Sequence, residues 1–137
     1  MKKYIFVFFT LLFTICLCVP YVQAQDNPKE IPEAYLIDAN KPIILFFTAT
    51  WCAPCKLLKN DMFKKAELKP LLEQFNLLMM DVDTAEGAAY QKAYGAEKQG
   101  IPHLVLLNAE QEVLAEKTGY TKRVGDWTSF LKKALKE

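Results

Sequence analysis

The sequence predicts an α/β domain: a mixed sheet of four strands, with room for a fifth, and helices on both faces. Three observations predict it. Ile43 to Phe47 is a continuous apolar run, as expected of a strand covered on both sides. Two further strand-like runs follow it, each separated from the last by a helical pattern. Only Asn108 to Gln111 parts the final two strands, which is hairpin spacing.

Taken in order, Glu33 to Asn40 reads as a short helix with Ala34, Leu36 and Ile37 turned to the domain, stopped at Lys41-Pro42. After the first strand, Pro54 suits the first turn of a helix, and Lys56 to Lys65 has helical composition with Leu58, Met62 and Ala66 on its inner stripe. Pro70 marks a break before Leu71 to Phe75. Asn76 to Asp83 is the second strand, Glu86 to Tyr94 a helix capped by Gly95, and His103 to Leu107 the third strand. Val113 to Lys117 is the fourth strand. Arg123 to Leu135 closes the chain as an amphipathic helix whose stripe is Val124, Trp127, Phe130, Leu131 and Ala134, a core stripe rather than a ligand site. The order is α-β-α-β-α-β-β-α. Helices between the first three strands require crossovers, and the last two strands pair antiparallel.

With 137 residues the chain has room for one core. Apolar residues make up 52% of it, too many for disorder. Seventeen Lys and Arg against sixteen Asp and Glu give a net charge of +1, with no basic stripe to neutralise a nucleic-acid backbone.

One end is strongly biased. Lys2 and Lys3 precede Tyr4 to Val19, where only Thr10 and Thr14 interrupt the apolar residues, and Val22-Gln23-Ala24 follows. This pattern describes a secretory signal peptide over residues 1–24, cut after Ala24. A retained segment would anchor the protein to a membrane, but its apolar stretch rises only about 24 Å as a helix, against a hydrocarbon core of about 30 Å. Residues 25–32 then read as a flexible leader and 33–137 as the folded domain. Cleavage removes Cys16 and Cys18 and leaves Cys52 and Cys55. Two cysteines three positions apart close only a short loop, so the pair contributes little entropic stabilisation and is better explained by chemistry.

Cys52 stands where a buried strand gives way to a helix. Free backbone N–H groups and the helix dipole favour its thiolate there. Cys55 is one turn along, within reach of a mixed disulfide formed at Cys52. Pro54 fixes the backbone between them, and Ala53 brings no interfering polar group. A structural zinc site would need four ligands, and beyond the signal only His103 could join the two thiols, so no metal is expected. His103 is expected as a strand residue with its ring at the surface, and Asp61, Asp81 and Asp83 as solvated carboxylates without an assigned role.

Trp51-Cys52-Ala53-Pro54-Cys55-Lys56 resembles the active-site segment of the thioredoxin family, departing from its common form only at Ala53. Gly100-Ile101-Pro102, with the proline 47 positions after Cys55, is similar to the family's cis-proline segment. Lys117-Thr118-Gly119 is similar to the loop beside its substrate groove. The resemblance runs from about Pro42 to Leu135 and implies a thioredoxin-like fold. Two positions depart from it. Phe46 stands where a buried aspartate is usual, six residues before Cys52, and Met79 where a lysine often pairs with it. The break around Lys64 to Pro70 is more similar to the C-terminal domain of the transmembrane disulfide-interchange reductase.

The resemblance implies a thiol–disulfide oxidoreductase of the cell envelope, acting as a disulfide reductase without a cofactor. Cys52 would attack a substrate disulfide and Cys55 would resolve the mixed disulfide. Ile101 and Pro102 would hold the substrate strand, with Trp51, Ala53, Pro54, Gly119 and Tyr120 bordering the groove. It further implies disulfide-bearing exported proteins as substrates, a membrane-embedded thiol donor, a periplasmic location and a monomer. A non-catalytic binding module or chaperone using the same groove is the alternative.

Overall fold

The computed structural model describes residues 29–135, so the signal-peptide reading and the first half of the leader lie outside the described residues. Four strands form one mixed sheet: β1 (Ile43–Thr48), β2 (Asn76–Asp81), β3 (His103–Leu107) and β4 (Val113–Thr118), in the spatial order β2-β1-β3-β4. Pairing is parallel between β1 and β2 and antiparallel for β1 with β3 and β3 with β4. The chain therefore re-enters the sheet at β3 in the opposite sense, not by a third parallel strand. Every residue of β1 and β3 is buried, which is why both read as unbroken apolar runs.

The helices are α1 (Ala53–Leu57), α2 (Lys69–Leu72), α3 (Ala85–Ala93) and α4 (Val124–Leu131). Two apolar layers result, one on each face of the sheet. Ile44, Phe46, Leu104 and Leu106 pack with Cys52, Cys55, Leu58 and α4's Trp127, Phe130 and Leu131. Ile43, Leu45, Phe47 and Val105 pack with Tyr90 and Tyr94 of α3. Trp127 is 1% exposed and its indole N–H donates to the Thr121 carbonyl at 2.8 Å, so the aromatic stripe of α4 is core.

Several elements differ from expectation. The long helix after Cys52 is α-helical only to Leu57 and continues as a π turn, Leu58–Met62, with Phe63 N–H reaching the Leu58 carbonyl. The wider turn ends the inner stripe early: Leu58 and Met62 are buried, Ala66 is exposed, and Leu68 fills the next core position.

Only Glu33–Tyr35 of the first expected helix winds, as a 3-10 turn, and Ala34 and Ile37 face solvent. The reason is the buried Asn76. Its carboxamide oxygen accepts from the N–H groups of Ile37 and Asp38, and its nitrogen donates to the carbonyls of Asp38 and Lys41. Those backbone groups are satisfied without a helix. The apolar anchor is instead Ile31, inside the stretch read as leader. It is 2% exposed, and the Gln111 side chain accepts from its N–H at 2.7 Å and donates to its carbonyl at 2.9 Å.

Candidate active site

The register gathers the site at one end of the sheet. Thr48 at the end of β1 pairs with Asp81 at the end of β2, Phe47 pairs with His103 at the start of β3, and His103 pairs with Thr118 at the end of β4. The loops that follow β1, β2 and β4, and the one that precedes β3, therefore emerge together. They carry Trp51 to Cys55, Asp83, Gly119-Tyr120 and Ile101-Pro102.

Cys52 is extended and caps α1: its sulfur accepts from the Cys55 N–H at 3.2 Å, and its carbonyl accepts from the Lys56 N–H at 3.2 Å. Pro54, in the first turn, forfeits an N–H that would have had no helical partner. Cys52 and Cys55 are joined by a disulfide with Cα atoms 5.3 Å apart. Cys52 is 3% exposed and Cys55 fully buried, while Trp51, Ala53 and Pro54 form an exposed rim.

The Ile101–Pro102 peptide is cis. Pro102 is buried, and its carbonyl accepts from the Gly119 N–H at 2.8 Å, tying the two groove segments together. Gly119 has φ +85°, a conformation that other residues adopt only with strain. Ile101 and Tyr120 are partly buried and pack against the layer containing both cysteines.

Two carboxylates regarded as solvated have definite partners here. Asp83 accepts from the Trp51 indole N–H at 2.9 Å, and Asp61, on the π turn, accepts from the Tyr120 hydroxyl at 2.8 Å. Partial burial, then the Asp61 carboxylate, raises the Tyr120 phenol pKa above its ordinary value. Both contacts depend on pairing between distant segments, so no local pattern announces them.

His103 is corrected outright. It is 1% exposed, not at the surface, because β3 is an inner strand covered on both faces. Its ring stacks on Phe47 with centroids 6.2 Å apart, in the layer opposite the cysteines. Nδ1 lies 2.8 Å from the Thr118 hydroxyl and Nε2 lies 3.4 Å from a Glu116 carboxylate oxygen. Burial lowers its pKa, and Glu116 opposes that shift only in part.

Phe46 is wholly buried in the cysteine layer, edge-on to Phe63 at 5.4 Å. Its register partner Met79, on the edge strand, is 58% exposed. Among the described residues the buried polar side chains are Thr48, Asn76 and His103, and none of them is a carboxylate.

Residues 33–109 match a family model described as thioredoxin-like. The chloroplastic thioredoxin-like protein CITRX of Solanum tuberosum is 30% identical over 98 residues, covering 72% of this chain and 53% of that protein. The chain thus spans about half the length of this relative. The thiol:disulfide interchange protein DsbD of a Pseudomonas strain is 35% identical over 69 residues, half of this chain and 12% of that protein. Among solved structures, the oxidised C-terminal domain of Neisseria meningitidis DsbD superposes with a TM-score of 0.58 at 22% identity, over 70% of this chain and 82% of that domain. A DsbH oxidoreductase superposes with a TM-score of 0.57 at 25% identity, over 71% of this chain and 74% of the other.

Proposed function

Because the chain belongs to the thioredoxin-like family, we propose that it is a protein disulfide oxidoreductase that reduces the disulfides of exported proteins in the cell envelope. The observation that carries this reading is the Cys52–Cys55 disulfide at the start of α1, at the same end of the sheet as the bonded pair Pro102 and Gly119.

In the reduced protein the Cys52 thiolate attacks one sulfur of a substrate disulfide. A mixed disulfide forms and the first substrate thiolate leaves. Cys55, losing its proton, attacks the Cys52 sulfur and expels the second substrate thiolate. Two electrons pass to the substrate, and the Cys52–Cys55 disulfide remains. The backbone of Ile101 pairs with the substrate strand, Pro102 holding that segment in place through its bond to Gly119, while Trp51, Ala53, Pro54 and Gly119 border it. Trp51, 66% exposed yet held by Asp83, offers a fixed apolar wall.

The envelope location rests on the charged, apolar and Ala24-terminated start of the sequence, and the likeness to a DsbD domain supports it. A reductant in an oxidising compartment must be re-reduced, so a membrane-embedded thiol donor is its electron source. Insulin reduction with dithiothreitol as donor tests the activity. It is expected from the wild type, abolished in Cys52→Ser, and arrested as mixed disulfides in Cys55→Ser. A Cys52→Ser protein as active as the wild type would overturn the reading.

A further inference from the structure

Tyr120, the residue after Gly119, lines a cleft of about 330 Å3 together with Asp61, Met62, Lys65 and Lys122. The charges here are unevenly committed. Asp61 already accepts the Tyr120 hydroxyl, and Met62 is buried. Among the described residues no ion pair or hydrogen bond engages the ammonium groups of Lys65 and Lys122, whereas that of neighbouring Lys64 donates to Asn60 at 3.1 Å. Around the cleft, the segment from Lys56 to Lys69 holds five lysines against Asp61 and Glu67, in a chain whose overall balance is +1. The positive charge is thus concentrated beside the cysteines.

We infer that this cleft is a subsite for an acidic side chain of the substrate strand, bound by Lys65 and Lys122 to one side of the reacting disulfide. The inference rests on the oxidoreductase reading and adds a substrate class to it: disulfides flanked by Asp or Glu. Two lysines lining one recess hold a carboxylate more firmly than a single surface lysine does. They also repel a basic segment, so discrimination works in both directions. The hydroxyl of Tyr120 donates to Asp61, so that carboxylate is held against the tyrosine, and the two lysines outnumber it in the cleft.

The test uses three disulfide-linked peptides of one sequence, carrying glutamate, glutamine or lysine at the positions flanking the cysteine. Second-order exchange rates with the reduced full chain are measured at low and at high ionic strength. Exchange should be about fivefold faster for the glutamate than for the glutamine peptide at low salt, and slowest for the lysine peptide. The difference should shrink at high salt as screening shortens. In Lys65→Gln/Lys122→Gln the glutamate-to-glutamine ratio should fall to about one. Lys92→Gln/Lys98→Gln removes the same charge elsewhere and should keep the wild-type ratio. A ratio that survives in the first variant, or falls equally in the second, overturns the subsite. Failure of all three peptides to exchange, the neutral one included, overturns the oxidoreductase reading and the subsite with it.

Discussion

The ammonium of Lys59 lies 5.9 Å from the centroid of the Phe46 ring, although Phe46 itself is completely enclosed. Lys59 follows Cys55 by four positions on the same winding segment, a spacing that makes side chains neighbours. The layer around the resolving thiol is therefore overlaid by a cation, and among the described residues no carboxylate is buried. A nearby positive charge favours a thiolate, opposing the effect of burial.

Lys59→Met should accordingly slow the resolution of mixed disulfides near neutral pH by about threefold and move its pH midpoint upward. The reduction potential should become more negative, because the reduced form loses stabilisation. Lys59→Arg keeps the charge and should behave as wild type, as should Lys56→Met, which removes an exposed lysine from the same helix. Equal effects of the Lys59 and Lys56 changes in rapid-quench experiments would show that the contact with Phe46 is immaterial.

Phe46→Asp places a proton acceptor in that layer. Losing the ring alone costs about 3–5 kcal/mol, and an unpaired buried carboxylate adds to it, so the urea midpoint should fall sharply. The molecules that remain folded should resolve mixed disulfides faster near neutral pH, since the new group can take the Cys55 proton. No acceleration in that folded fraction would mean that proton removal does not limit the step.

His103 gives stability a pH dependence of known sign. Its native pKa lies below the ordinary 6.5, chiefly through burial, so the unfolded chain binds the proton more readily. Its contribution is complete above about pH 6.5 and is lost as the pH falls from there through the lower native value. The melting temperature should drop between pH 7 and pH 5, and the drop should be shallower in His103→Asn. It is the chain's one histidine, so no other imidazole can mask the effect. An identical slope in both proteins would count against this account.

Gly87→Ala should destabilise the fold by about 1–3 kcal/mol in urea titration. A Cβ there would run into the Asp81 backbone carbonyl, where α3 closes on the end of β2. Gly87 also donates to Thr84, whose hydroxyl donates to the Asp81 carbonyl, so the strain falls on the loop that aims Asp83 at Trp51. Tryptophan fluorescence should report it. Unchanged stability would mean that α3 shifts freely.

What could be read from the sequence was local. An apolar run such as Ile43 to Phe47, a helix entry at Cys52 and Pro54, and a short hairpin link each depend on neighbours in the chain, and each is present, the link running over five residues, Asn108 to Glu112, one more than expected. The departures come from long-range registry. Asn76 replaces a helix by bonding to backbone 35 to 39 positions away. Tyr120 finds Asp61 across 59 positions, and Trp51 finds Asp83 across 32. His103 looked like a surface residue because a polar ring at a strand end usually is one. Only the flanking positions of β1 and β4 determine that it is enclosed.

The clasp between Gln111 and Ile31 sets the polarity of the whole molecule. Gln111 belongs to the hairpin beyond the far end of β3, while Pro102 sits just before its near end, and five residues at about 3.3 Å each separate them. The polypeptide thus enters the fold at the pole opposite the disulfide. A pull applied at Ile31 would therefore load the rear of the domain through Gln111, while the loops that carry Cys52, Pro102 and Gly119 lie at the other end of the sheet.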